Sequence, residues 1–334
     1  MLLTILCLTF IVFWLTNLSP NLERLAKTQA NNRMTDEQVV TWLEARGYNR
    51  NVFVKYGEWM GLVPGWTNEI NGVPSGRCIR AGVEDAPKYC GVLQGDFGFS
   101  TVSQEGVSDV ISRRLSLTGW LMLFTFLLMV PLALVVGIAA GMREGSRLDR
   151  GLSTFSIATT ATPEYVSGVI FIAIFTSSAV GLKWFKGTAT SAADEITFAN
   201  FTLPVVTIAL YGMGYIARMT RASMAEVMQS QYIRTARLKG VSFKNVVLKH
   251  ALRNALIAPF TVIMLQFPFL LTGVVIVESL FNYKGFGWTL VQAAENNDVE
   301  LLLGCSIIAV IVVLLTQLIS DIGYVFLNPR VRVT

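Results

Sequence analysis

Residues 223–259, SMAEVMQSQYIRTARLKGVSFKNVVLKHALRNALIAP, form a basic insert between two long apolar runs. Lys239 and Gly240 supply a cationic last turn and a glycine stop, so one helix is expected over 223–239. Ser242 is a good N-cap for a second helix running to about Leu256. In that second helix Lys249 and Arg253 fall four apart on one face, while Val247, Ala251 and Ala255 lie on another. The expected object is a rigid helical bracket with an apolar stripe and a basic flank, shaped to dock against another protein. A surface loop that only carries positive charge is the competing reading, and the glycine stop and the cap argue against it. His250, the single histidine of the chain, lies on the bracket and reads as packing.

Composition places the insert in a membrane protein. Hydrophobic residues make up 53% of the 334 and charged residues 15%, where a soluble domain carries roughly a quarter of its residues charged. Mean hydropathy is +0.53. The apolar residues are bunched into runs of about 18 or more, the length that crosses a bilayer. Six spans are expected, over 2–18, 115–142, 152–180, 201–217, 256–277 and 301–327, giving an all-α polytopic membrane fold. Pro131, Pro163 and Pro268 fall inside spans, where neighbouring helices satisfy the freed backbone groups.

Lys and Arg set the orientation, because short cytoplasmic loops carry an excess of them. Arg143, Arg147 and Arg150 share one loop. Arg218, Arg221, Arg234, Arg237, Lys239, Lys244, Lys249 and Arg253 crowd the insert and the adjoining helix end, and Arg330 and Arg332 end the tail. The loops 181–200 and 278–300 are neutral to acidic. Both termini are therefore expected in the cytoplasm, and the net charge of +5 reflects topology, with no nucleic-acid partner. The first run starts at Met1 with no basic residue ahead of it, which suits a retained span in a chain that lacks a short N-terminal piece. A secretory signal peptide competes, but it needs a charged leading region and a small-residue cleavage site, and FWLTNLSPNLERLA offers neither.

The domain plan is then a first transmembrane helix over 1–18, a periplasmic segment over 19–114, and a five-helix core over 115–334 with a cytoplasmic loop at 223–258. Cys7 and Cys305 lie within spans. Cys78 and Cys90, in the outer segment, are expected to pair in an oxidising compartment; two free thiols are the alternative, and no histidine accompanies them to make a metal site. Catalysis is not expected: one histidine precludes a Ser/His/Asp set, and HExxH and CxxC spacings are absent. No GxxxxGK[ST] phosphate loop occurs, so the chain does not hold ATP in the usual way. Within the spans, Glu164 is the carboxylate expected to face a translocation path, since intramembrane charges are costly and usually functional; a helix–helix hydrogen bond is the equal alternative. Asp321 is expected to brace Arg330 or neighbouring backbone.

The insert resembles the coupling loop of the inner-membrane permeases of bacterial ABC importers, with Arg234-Thr235-Ala236 in the place of Glu-Ala-Ala and the fixed glycine at Gly240. The match is narrower still to the dipeptide, oligopeptide and nickel permeases, through GDFGFS (95–100), VVIVESLFNYKGFGWTL (274–290) and SDIGYVFLNPRVR (320–332), and it covers most of the chain from about residue 92 onward. Residues 61–91, with both outer cysteines, look inserted, and the proline ending the loop stands one residue late, at Pro259. The resemblance implies a type I importer permease fold and a heterodimeric pore formed with a second homologous permease. It also implies two ATP-binding subunits, which hold ATP and Mg, a periplasmic substrate-binding protein, and a place in the bacterial inner membrane. The same resemblance puts ATPase contacts at Tyr232, Arg234, Thr235, Ala236, Arg237, Gly240, Ser242 and Phe243. The outer loop FNYKGFGW, with Phe281, Tyr283, Gly285 and Trp288, is expected to touch the binding protein or form an outer gate, although glycine-driven turning explains it equally well. Peptides lead as substrate, with nickel chelates, glutathione-like peptides, opines and sugars as rivals. The alternative class is an ATP-independent secondary transporter or channel, for which no internal repeat is visible.

Overall fold

The computed structural model describes residues 2–31, 33–70, 72–79, 86–177 and 182–327. Arg330, Arg332 and the end of the apolar run at 178–180 lie outside the described residues. The chain packs as two compact units, one of residues 1–116 with 289–312, the other of residues 117–288 with 313–334.

The first unit begins with α1 (Leu2–Thr16), and α2 (Ser19–Gln29) bends away from it by 61°. The described residues between α2 and α5 hold further elements. α3 (Asp36–Ala45) starts at a capping box between Thr35 and Gln38, α4 (Val52–Met60) starts at an Asn51 cap, and Gly61 ends α4 in the left-handed region. Two short hairpins qualify the all-α expectation: β1 (Thr67–Ile70) pairs antiparallel with β2 (Val73–Gly76), and β3 (Phe99–Ser100) with β4 (Glu105–Gly106). Phe13, Leu22, Leu25, Trp59, Met60, Val299, Leu303 and Ile307 form the core of this unit. The Cys78 and Cys90 sulfurs are bonded at 2.01 Å, across 12 residues of chain. A cross-link closing a loop of this size contributes about 3 kcal/mol through the unfolded state. The Cys78→Ser/Cys90→Ser chain is therefore expected to lose amide-exchange protection over 61–91 by roughly two orders of magnitude; unchanged protection would show that the bond closes an already rigid loop.

Among the described residues three helices are long and apolar enough to cross a membrane: α5 (Val107–Gly141), α8 (Phe198–Met228) and, within α14 (Val299–Leu327), residues Val299–Gly323. Counting each of three bent helix pairs as one span raises the number to six, in the same places as the six runs in the sequence. The expected third span is not one helix. α6 (Arg147–Ala161) and α7 (Glu164–Phe175) meet at 103°. Pro163 lacks an N–H and drives its predecessor out of the helical region, and Thr162 is accordingly extended at φ −90°, ψ 118°. Pro131, Pro204 and Pro268, by contrast, sit inside unbroken helices.

The bracket also departs from the expected single helix over 223–239. α8 (Phe198–Met228) runs on out of its apolar stretch and stops at Gln229, and α9 (Gln231–Leu238) begins after an extended Ser230. The second arm, α10 (Phe243–Asn245) and α11 (Leu252–Ala255), flanks a six-residue π-helical segment, Val246–Ala251. α12 (Ile257–Leu280) follows at 52° to it. α13 (Phe286–Glu295) and α14 (Val299–Leu327) complete the chain. The second unit's main core gathers Leu121, Met129, Ala133, Phe201, Ile208, Met213, Ile216, Val262, Leu270 and Val277.

Candidate functional site

The bracket has a small core of its own. Ile233 and Ala236 from α9 and Val246, Val247, Ala251 and Ala255 from the second arm close on Met224 and Met228 at the end of α8, with Ile138 of α5 and Met142 just after it packed against them. The stripe expected at Val247, Ala251 and Ala255 is therefore the buried one. Between the arms Gly240 has φ +75°, in the region where a side chain is strained, and a Cβ there would meet nothing within 4 Å. The turn closes with Gly240 N–H donating to Arg237 O at 3.0 Å and Val241 N–H to Ala236 O at 3.2 Å. Ser242 stands at the start of the second arm, but its side chain makes no cap bond; its carbonyl accepts from Val246 N–H at 2.9 Å.

Two further bonds tie the arms together. Asn254 Nδ2 donates to the Tyr232 hydroxyl at 2.9 Å, and Ser223 Oγ donates to Ala255 O at 2.8 Å. Of the residues expected to face an ATPase, Tyr232, Arg234, Thr235, Arg237, Gly240, Ser242 and Phe243 are exposed. Ala236 is not: it is buried in the bracket core, because position 236 falls on the same helical face as Ile233. Lys239, Lys244, Lys249 and Arg253 are exposed beside them, and so is His250, against the expectation that it packs. The bracket thus presents a stiff, basic surface with two aromatic side chains and a bare glycine turn.

A second connection, which the sequence pattern did not reveal, holds the helix that carries the bracket. Asp149, 3% exposed in the first turn of α6, accepts from Arg221 Nε at 3.0 Å and Nη2 at 2.8 Å, from Gly145 N–H at 2.9 Å and from Ser153 Oγ at 3.1 Å. From sequence Arg221 reads only as one of the basic residues beside the insert. Its separation from Asp149 by 72 residues hid the pair. A bidentate charge-assisted contact to a buried carboxylate is geometrically specific. A double-mutant cycle of Asp149→Asn and Arg221→Gln is expected to give a coupling of roughly 1–3 kcal/mol in detergent unfolding; additive losses would mean the pair is incidental.

Glu164 occupies the first position of α7 and is half-buried, and Gly273 of α12 is its neighbour: a Cβ on that glycine would stand 3.2 Å from Glu164 Oε1. It therefore lies at the bend between α6 and α7, facing a helix. Asp321 accepts from Gln317 Nε2 at 3.0 Å; its expected partner Arg330 lies outside the described residues.

The loop 281–288, expected as a receptor contact, an outer gate or a glycine-driven turn, is mostly buried. Phe281 and Tyr283 are fully buried and Gly285 is buried too. Trp288 is half-buried beside the Lys284 ammonium, 6.0 Å from the ring centre. The loop wraps Glu278, a fully buried carboxylate that sequence reasoning missed. Thr118 Oγ1 donates to Glu278 Oε1, Trp288 N–H donates to Oε2 at 2.9 Å, and Phe286 N–H donates to Thr118 Oγ1 at 2.7 Å. The Tyr283 hydroxyl donates to Leu117 O at 2.8 Å. A Cβ on Gly285 would collide with Glu278 and Thr118, which explains the glycine. The signal was available: a lone Glu at the end of an apolar helix, followed by two glycines within ten residues. Among the described residues no cluster of three or more His, Cys, Asp or Glu could hold a metal.

Residues 133–333 match the family described as binding-protein-dependent transport system inner membrane component. The glutathione transport system permease protein GsiC of Salmonella choleraesuis strain SC-B67 is 36% identical over 241 residues, spanning 72% of this chain and 76% of that protein. The GsiC protein of Escherichia coli strain K12 is likewise 36% identical over 240 residues, with the same coverage. A crystal structure of an amino acid ABC transporter with histidines aligns with a TM-score of 0.49 at 14% identity, over 65% of this chain and 94% of that one, a likeness too distant to argue from.

Proposed function

The chain belongs to the inner membrane components of binding-protein-dependent transport systems, and from that membership we propose that it is one half of a heterodimeric pore that imports peptides. It is a permease subunit of an ABC importer, so ATP hydrolysis falls to separate subunits and an ATP-independent carrier is set aside. In the proposed assembly a second homologous permease completes the pore, two ATP-binding subunits hold ATP and Mg, and a periplasmic binding protein delivers the solute. The observation that carries the proposal is the bracket. Its buried core, the tie between Asn254 and Tyr232 and the left-handed turn at Gly240 make a stiff two-armed element, and mechanical coupling needs a stiff element with two packed arrangements.

In that scheme ATPase closure presses on Tyr232, Arg234, Thr235, Arg237, Gly240, Ser242 and Phe243. Ala236 supports the surface from below. α8 continues without a break from the bracket into the apolar core, and the clasp between Arg221 and Asp149 passes its movement to α6. Glu164, at the bend of α6 and α7, is the carboxylate proposed to meet a cationic part of the solute. The excess of Lys and Arg on the bracket supports a cytoplasmic position for it and for both termini, which leaves residues 19–114 on the periplasmic side. A glutathione-type peptide is the second reading, favoured by the similarity to the GsiC proteins.

The test is a mild-detergent pull-down of the tagged chain with mass spectrometry, followed by uptake in proteoliposomes of the recovered complex. A second permease and one or two ATPases are expected to come with it, and dipeptides to be imported ahead of glutathione. Glutathione uptake with no dipeptide uptake would overturn the dipeptide preference. Recovery of this chain alone, in vesicles that transport without ATP, would overturn the assembly.

A further inference from the structure

The first unit holds a half-open cavity of about 730 Å³, within the size range of small-molecule sites. Its walls come from the end of α1, from the loop before α4, from α4 itself, from β2 and from the start of α14. Four aromatic side chains line it, Phe13, Tyr48, Trp66 and Phe99, and so do four cations, Arg46, Arg50, Lys55 and Arg77.

Three carboxylates, Glu58, Asp96 and Glu300, also line it, so the cations exceed them by one. Arg50 makes two contacts of 2.5 Å with the Glu58 carboxylate, and Arg77 reaches Glu300 at 3.2 Å. Lys55 and Arg46 have no such carboxylate among the described residues. The Lys55 ammonium, on a residue only 9% exposed, donates to two neutral oxygens, Asn17 Oδ1 at 2.9 Å and Tyr48 O at 2.8 Å. Burial, with the Arg50 charge behind it, pushes that ammonium below its usual pKa. The Arg46 guanidinium lies 4.1 Å over the Trp42 ring, a contact that leaves N–H donors free. At the wall, Arg77 Nε and Glu300 Oε2 are shielded from solvent with no hydrogen-bond partner among the described residues. The Glu58 carboxylate acts on the Lys55 ammonium without an ion pair to it and is itself engaged by Arg50; a buried ammonium without a paired counter-charge is costly, and an anion in the cavity offsets that cost. The aromatic walls select an anion with an apolar body over a small inorganic one.

We propose that this cavity is a binding site for a small organic carboxylate with an aromatic or aliphatic body, its carboxylate held by Lys55 and Arg46 and its body against Phe13, Tyr48 and Trp66. The site is separate from the bracket, and its occupancy needs neither an ATPase nor a receptor. It therefore stands or falls independently of the import assignment.

The test uses the full chain in lipid nanodiscs, with 3-phenylpropionate as the probe and 3-phenylpropanamide as its neutral counterpart. Binding is read by ligand-observed NMR after subtraction of empty nanodiscs. Saturable one-site binding of the carboxylate is expected, with the amide failing to compete. Lys55→Gln, which keeps a donor for Asn17, and Arg46→Gln are each expected to weaken binding about tenfold, the loss of one charge-assisted contact. Should Lys55→Gln fail to fold, the partly exposed Arg46→Gln decides alone. Three results would overturn the site: no saturation by about 10 mM carboxylate, a very weak affinity by any measure; equal binding of the amide; or wild-type affinity in every folded variant.

Discussion

Replacing Gly240 by tryptophan is expected to leave the chain inserted and assembled with its partners while removing the stimulation of ATP hydrolysis by loaded binding protein. The physical basis is local. Gly240 holds φ +75° at the end of α9, and the space a side chain would enter is empty. A non-glycine residue there costs about 1–2 kcal/mol of backbone strain, too little to unfold a bracket with its own buried core. The consequence is outward: an indole now projects from the turn between Arg237 and Ser242, on the surface proposed to seat in an ATPase. Gly240→Ala carries the same backbone strain without the bulk and separates the two effects. Stimulated hydrolysis is expected to fall at least about tenfold in the tryptophan variant, a loss of about 1.4 kcal/mol or more in coupling, and to stay near wild type in the alanine variant, with basal hydrolysis retained in both. Full stimulation of the tryptophan variant would remove the bracket from the coupling path, and equal loss in both would assign the effect to turn geometry alone.

What the sequence made legible follows the range of the forces involved. Apolar runs are local, so three of the six expected spans stand as single long helices and each of the other three overlaps a bent helix pair, and the Gly240 turn was readable because a glycine after a cationic turn is itself a local signal. The stripe of Val247, Ala251 and Ala255 was likewise buried as its spacing required. Three features were missed for physical reasons. The stop at Gln229–Ser230 is a weak cap with no side-chain bond to announce it, so an unbroken helix read equally well. Pro163 reads as a mild kink by comparison with Pro131 and Pro268, and its 103° bend arises because Thr162 is held extended ahead of it. The Arg221–Asp149 clasp and the Glu278 cage join residues 72 and 160 positions apart, and no local pattern encodes such a meeting. Function divides the same way. The exposed residues of the bracket are named by the resemblance, whereas the loop 281–288, read as a receptor contact, an outer gate or a glycine-driven turn, buries Phe281, Tyr283 and Gly285 around Glu278. A run of aromatics and glycines records that a chain turns tightly; which side faces water is decided by the carboxylate it turns around.

That carboxylate gives the largest expected loss of stability. Glu278 is wholly shielded from solvent and accepts from Thr118 Oγ1 and Trp288 N–H. Glu278→Ala strands the Trp288 N–H and disturbs the relay in which Thr118 also accepts from Phe286 N–H. A buried donor left without its partner costs about 1–3 kcal/mol, and the emptied volume adds to that. A total near 3–5 kcal/mol is expected, measured as a loss of folded chain on heating in detergent and scored by size exclusion. Glu278→Gln keeps an acceptor oxygen and is expected to lose about 1–2 kcal/mol. The order matters more than either value. If the cage is what holds the corner after α12, the damage rises from Gln to Ala, and Phe281 and Tyr283, now buried against it, become accessible to solvent quenchers in the alanine variant. A carboxylate kept there for transport alone would give the opposite result: both variants as stable as the parent, with only uptake reduced. The outer loop would then regain a direct role in the passage of solute, in place of the fixed corner that its hydrogen bonds describe.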